Sequence, residues 1–281
     1  MPAGAGGKVG WYIDPMQARV RPAAVAGTFY PGSPGELRAV VEGLLDAAPR
    51  PASPAPKAVI APHAGYAYSG PIAAVAFQAL AAAADTIERV VLLGPAHFVP
   101  IRGLGLPDAN RFATPLGEVP VDPEGAGASL RLPQVRVQPE AHVPEHSLEV
   151  ELPFLQALLG DFSLVPLVVG EAGAEEVAEV LERLWGGPET VIVISSDLSH
   201  YLPYDEARRV DRATADEILA LGGPLDPRQA CGARPVSGLL LAARRRGLLP
   251  ELLDLRNSGD TAGDRRRVVG YGAFAFHGGE A

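Results

Sequence analysis

The run Thr190-Val-Ile-Val-Ile-Ser-Ser-Asp-Leu-Ser-His200 sets five consecutive β-branched residues in front of a polar end that carries a carboxylate and an imidazole. Val191, Ile192, Val193 and Ile194 are stiff at χ1, which disfavours helix, and an unbroken apolar run suits a strand buried on both faces. Three other short apolar runs, 58–61, 90–93 and 164–169, have the same character. Between and around them lie segments with helical spacing of apolar residues: 34–48, 72–84, 148–159, 174–184, 205–221 and 236–246. Alternation of this kind predicts an α/β fold, a single domain with a mostly parallel mixed sheet and helices on both faces. The last apolar run, 268–276, alternates around Gly270 and Gly272 and is expected to add an antiparallel strand.

Bulk properties narrow the function classes. A chain of 281 residues that is 47% hydrophobic can bury a substantial core. Its 24 basic and 33 acidic residues give a net charge of −9, which argues against nonspecific nucleic-acid binding. The arginine runs 244–246 and 265–267 read as a solvated helix end and a loop, with contact to an anionic substrate as the second reading. One cysteine permits no internal disulfide, and residues 72–84, the longest nearly apolar stretch, fall short of a bilayer span. A cytoplasmic protein with no membrane and no nucleic-acid partner is the expectation. Residues 1–20, rich in Gly and Ala, read as a flexible leader before a domain spanning 21–278, and the Pro/Ala-rich residues 49–56 read as a short connector. No GxGxxG or P-loop signature follows any strand, so a nucleotide is not indicated.

The chemistry gathers where strands end. His63 follows the apolar run 57–62, His97 follows 89–95, and His200 closes the segment quoted first. In open α/β sheets ligands bind outside the carboxyl ends of the strands, so distant histidines can converge there. Pro62 and the glycines of Ala61-Pro-His-Ala-Gly-Tyr-Ala-Tyr-Ser-Gly70 make a tight turn that permits close approach to a ligand. Asp197 and His200, three apart, form a ligand with an orienting carboxylate or a general base with its partner; Ser195 or Asp197 capping a following helix is the structural alternative. Glu145 and His146 stand at the entry to a helical pattern and are expected to line the site. Glu149 and Glu151 are explained by the helix dipole, and His142 and His277 have weak claims. Cys231 is open to three readings: a small core residue, a thiolate ligand, or a nucleophile paired with histidine.

Seven segments in this order carry a resemblance. They are Arg21-Pro-Ala-Ala-Val-Ala-Gly-Thr-Phe-Tyr-Pro31, Pro62-His-Ala-Gly-Tyr66 with Ser69-Gly70, Gly94-Pro-Ala-His97, Glu145-His-Ser-Leu-Glu149, Ser195-Ser-Asp-Leu-Ser-His200, Cys231-Gly-Ala-Arg-Pro235 and Val269-Gly-Tyr-Gly-Ala-Phe274. Together they resemble the Memo family, also called AmmeMemoRadiSam system protein B, which is similar in fold and pocket position to the extradiol-type (LigB-like) non-haem iron dioxygenases. The resemblance implies metal ligation by His63, His97 and Cys231, and an acid/base role for His200 with Asp197 beside it. Tyr66, Tyr68, Glu145, His146 and Tyr201 are then expected to line the substrate pocket. A cysteine stands where those oxygenases use a carboxylate ligand, and a thiolate changes charge donation and oxidation sensitivity at the metal. Fe(II) is the expected cofactor, with Cu or Zn also suited to two imidazoles and a thiolate. The expected function is redox or oxygen chemistry on an unknown small molecule or peptide. Two alternatives stand beside it: a non-catalytic metal- or peptide-binding protein acting with Ammecr-type and radical-SAM proteins, and a metal- or thiol-dependent hydrolase.

Overall fold

The computed structural model describes residues 19–50 and 54–278. Residues 1–18 of the expected leader and residues 51–53 of the expected connector lie outside the described residues. In chain order the elements are β1 (Val20–Arg21), α1 (Pro34–Ala47), β2 (Ala58–Ala61), α2 (Tyr66–Gln78), β3 (Arg89–Pro95), β4 (Leu104–Leu106), β5 (Arg111–Thr114) and β6 (Gly117–Pro120). They continue with α3 (Pro123–Ser129), β7 (Val135–Val137), α4 (Pro139–His142), α5 (Leu152–Leu158), β8 (Ser163–Val169), α6 (Ala174–Arg183) and β9 (Thr190–Ser195). The last are β10 (His200–Leu202), α7 (Tyr204–Leu219), α8 (Ala233–Arg246), β11 (Leu249–Asn257) and β12 (Val268–His277).

The main sheet runs β10-β12-β2-β9-β3-β8-β4-β7, with β11 on β12; β1, β5 and β6 form a small separate sheet. Strands β2, β9, β3 and β8 are mutually parallel, β12 joins β2 antiparallel, and β4 joins β8 antiparallel. The expected α/β architecture is therefore observed, and its parallel centre is built from the four short apolar runs. Every residue of β9 is buried, as an inner strand covered on both faces requires. Two apolar cores cover the two faces. One gathers α1, α2 and α5 around Val59, Val90, Leu164 and Val193; the other gathers α6, α7 and α8 around Ile60, Val91, Val165 and Ile194. Adjacent strand residues divide between the cores because side chains alternate across a sheet.

Three element boundaries differ from expectation for definable reasons. Helix α2 occupies Tyr66–Gln78, six residues earlier than its apolar window begins. Apolar counting locates burial, and α2 is buried along nearly its whole length, so the window tracks the core and misses the start. The pattern 148–159 opens as a 3-10 turn over Glu149–Glu151, and the α-helix begins at Leu152 with Pro153 in its first turn, where a missing N–H costs nothing. Residues beyond Asp197 do not enter a helix but form β10, and α7 starts after Pro203 with no side-chain cap. The capping alternative for Ser195 and Asp197 is thereby corrected.

Candidate metal centre

The parallel register of β2 with β9 sets Ala61 beside Ser195, and the Ser196 N–H bonds the Ala61 carbonyl. This places the two strand ends side by side. The His63 backbone N–H donates to Asp197 Oδ1 (2.9 Å), and His63 Nδ1 lies 2.7 Å from Ser195 Oγ. The ring is buried, at 1% exposure. One strand further along the sheet, β3 delivers His97. Its backbone N–H donates to Glu145 Oε2 (2.6 Å) and its Nδ1 meets Glu145 Oε1 (2.9 Å).

Glu145 organises the loop it sits in. Besides His97, its Oε1 accepts the backbone N–H groups of His146 and Ser147, both at 2.9 Å, and Ser147 Oγ donates to the Pro95 carbonyl at the end of β3 (2.9 Å). Arg21 clamps the same loop through the His142 and Glu145 carbonyls and the buried Glu149 carboxylate. The His146 ring consequently stacks on His97, with centroids 4.9 Å apart, and meets His63 edge-on at 5.5 Å. One ligand atom from each of His63, His97 and His146 lies within 4.8 Å of the others, the one such group among the described residues. Cys231 stands beside this group with Sγ 3.3 Å from His63 Nε2. Its turn is held by Gly232, whose N–H donates to Ser196 Oγ (3.0 Å); a Cβ there would fall 2.6 Å from that oxygen.

The donor chemistry fits a transition-metal cation. Ser195 engages Nδ1 of His63 and Glu145 engages Nδ1 of His97, which leaves Nε2 of both rings for a cation, the arrangement by which outer-shell oxygens orient ligating imidazoles. Burial, with His97 and His146 nearby, pushes the His63 imidazole well below its usual basicity and keeps its lone pair available. Burial opposes ionisation of Glu145, but hydrogen bonds from His146 and His97 outweigh it and hold the carboxyl far below the carboxylate range. Burial raises Asp197, with His200 acting in opposition, and burial together with the Asp197 charge pushes the Cys231 thiol up.

The imidazoles open into a cleft of about 640 Å³ whose walls include Tyr68, His200, Tyr201, Arg267 and Tyr271. His200 Nδ1 meets the Leu198 carbonyl (2.8 Å), leaving Nε2 free, while Asp197 Oδ1 is spent on the His63 backbone. Both line the cleft, yet the expected Asp197–His200 hydrogen bond does not form. Tyr201 stands at the rim with a left-handed backbone (φ 59°) under the Arg267 guanidinium, 5.0 Å from its ring centroid. Tyr66 is corrected from pocket lining to core: it is buried between Tyr30 and Phe154, and its hydroxyl donates to the Val150 carbonyl (2.7 Å). Glu145 is buried behind the histidines and holds them; it is not on the cleft wall. His146 both lines the cleft and joins the imidazole group. Glu149 and Glu151 are not dipole partners at the surface but fully buried groups. His142 is a core residue bonded to the Gly105 carbonyl, and His277 pairs with Glu251, as their weak claims implied. Sequence reading does not single out Ser195, Ser147 or Arg21 for the site, although each falls inside one of the segments that carry the family resemblance.

Comparison with known proteins agrees with the family resemblance of the sequence. The family model described as Memo-like protein matches residues 21–275. A MEMO1 family protein of Methanopyrus kandleri is 39% identical, with the alignment covering 91% of this chain and 98% of the relative. Those of Sulfolobus acidocaldarius and Aquifex aeolicus are each 37% identical over 92% of this chain and 99% of theirs. Similarity at this level, extending over nearly the full length on both sides, places the chain in the Memo family.

Proposed function

We propose that this protein binds a single transition-metal cation, Fe(II) first and Cu or Zn as alternatives, and that with iron or copper bound it performs oxygen or redox chemistry on a small molecule or peptide. The convergence of the His63, His97 and His146 ligand atoms within 4.8 Å of one another carries this reading. Cys231, 3.3 Å from His63 Nε2, competes with His146 for the third protein position. A bound cation supplies Lewis acidity, and as iron also electron transfer. The remaining work falls to the chain. His200 presents a free Nε2 for proton transfer, and Asp197 lines the same cleft. Tyr68 and Tyr201 offer aromatic surface, and Arg267 suits a negatively charged substituent on the substrate. A thiol held protonated by burial works against Cys231 as a hydrolytic nucleophile.

Protein purified anaerobically and without a chelating tag is expected to carry one equivalent of metal, and His63→Ala none. Full metal content in the His63→Ala variant would overturn the assignment. A second reading, metal or peptide recognition without turnover alongside Ammecr-type and radical-SAM proteins, draws on the exposed aromatic rim of Phe98, Tyr68 and Tyr201. Oxygen-uptake assays on the iron-loaded protein separate the two, since only the first reading consumes oxygen. A cytoplasmic location belongs to the same proposal; among the described residues, no helix is long and apolar enough to cross a membrane.

A further inference from the structure

Behind the imidazole group lies a buried acid with no obvious duty. Glu151 is fully buried, its Oε1 lies 2.7 Å from Ser195 Oγ, and its Oε2 has no hydrogen-bond partner. Ser195 Oγ also lies 2.6 Å from the Ser147 carbonyl and 2.7 Å from His63 Nδ1. Three short contacts thus converge on one hydroxyl, which has one proton to give and two lone pairs to receive.

Counting protons leaves one arrangement in which all three contacts are hydrogen bonds. The Ser147 carbonyl only accepts, so the Ser195 proton points to it. Ser195 Oγ must then accept from both other neighbours, which requires a proton on His63 Nδ1 and a proton on Glu151. An ionised Glu151 would set two acceptors against a single hydroxyl proton at a separation where unshared lone pairs repel, inside a site that water does not reach. Burial independently pushes Glu151 well above the carboxylate range, while the Ser195 hydrogen bond opposes this and the Asp197 charge reinforces it. The result continues on the far side of the ring. With the proton on Nδ1, Nε2 is bare, and the Cys231 thiol 3.3 Å away is placed to donate to it when no cation is present.

We propose that Glu151 is a positioning residue: as a neutral carboxylic acid it donates to Ser195, and this relay locks the Nδ1–H tautomer of His63 so that Nε2 always faces the metal position. The tautomer claim stands on the hydrogen-bond geometry alone; its use for a cation rests on the ligand role proposed above for His63. Glu151 contacts no ligand directly, and a carboxylate so deeply buried without a counter-ion would otherwise only weaken the fold.

Two measurements on native, metal-free protein test the relay without relying on activity. With 15N-labelled histidine, the ring signal that disappears in His63→Gln is expected to show the Nδ1–H tautomer throughout the neutral range. Infrared spectra are expected to contain a carboxylic-acid C=O band that is missing from Glu151→Gln. Cobalt(II) titration provides the third readout. Glu151→Leu, lacking the donor, and Ser195→Ala, lacking the acceptor, should each weaken Co(II) by about 10- to 100-fold and alter the d–d spectrum, whereas Glu151→Gln, which retains a donor toward Ser195, should restore both. Native Co(II) binding in Glu151→Leu would overturn the positioning role. A native His63 protonated on Nε2, an acid band unchanged in Glu151→Gln, or a Glu151→Gln loss of Co(II) equal to that of Ser195→Ala would each overturn the proposal. Native protein that takes up no Co(II) would overturn the metal reading instead, and the tautomer and the acid band would still decide this one.

Discussion

At the scale of single residues, burial decides which charges the protein tolerates. His142 donates to the Gly105 carbonyl within the core, and burial holds its imidazole down at about 4 against an ordinary 6.5. The unfolded chain therefore takes up a proton at a higher pH than the folded one. This contribution is complete above pH 6.5 and is lost as the pH falls toward 4, up to about 3 kcal/mol. His142→Gln keeps a donor but does not titrate, so its urea midpoint should fall less steeply between pH 6.5 and 4; parallel pH profiles would remove His142 as the cause. Arg21 illustrates the opposite case, a charge accepted because it is matched. Glu149 receives it along with the Tyr30 hydroxyl (2.5 Å) and the Ala24 and Val25 N–H groups. Arg21→Met should cost about 3–5 kcal/mol in chemical denaturation, because a buried carboxylate loses its counter-ion. It should also weaken metal binding, because Arg21 bonds the Glu145 carbonyl within the loop that presents His146.

Among elements, close approach overrides propensity. Gly238 lies in α8 where it crosses α6, and a Cβ there would come within 2.3 Å of Val177 Cγ1. Gly→Ala inside a helix ordinarily stabilises by about 1 kcal/mol, but overpacking a tight core costs about 1–3 kcal/mol. Gly238→Ala is therefore expected to lower the thermal midpoint, and an unchanged or raised midpoint would show that the two helices can separate cheaply. The same contrast explains what the sequence made legible. The four central strands are readable because their apolar runs are too short for a buried helix and are rich in Val and Ile, and α6 matches because an apolar stripe with acidic residues in its first turn marks its face and its start. The three-residue strands β4, β7 and β10 carry no periodicity of their own; they exist because the sheet edge beside them offers hydrogen bonds. In the site, His63, His97, Cys231 and His200 were visible as strand-end and turn motifs. The roles of Glu145, Glu151 and Ser195 were not, because a buried carboxylate earns its function from partners far away in sequence, such as Ser195, 44 positions beyond Glu151.

For the whole molecule, the imidazole group draws on chain segments that separate when the domain unfolds, so occupancy and global stability must be linked. A cation bound only by the folded state stabilises by about 2.7 kcal/mol at one hundred times its dissociation constant. The thermal midpoint should rise with added Fe(II) or Zn(II), the rise should vanish in His63→Ala, and a chelator should reverse it in the native protein. An equal shift in both proteins would point to binding elsewhere.

The position of β12 has a consequence for biosynthesis. It separates β2 from β11, pairing with β2 through residues 274–276 and with β11 through residues 249–257. Strand β2, made more than two hundred residues earlier, has an open edge until β12 has left the ribosome. Nascent chains must shield this apolar, aggregation-prone rim throughout elongation, and premature termination before residue 268 would leave it permanently bare.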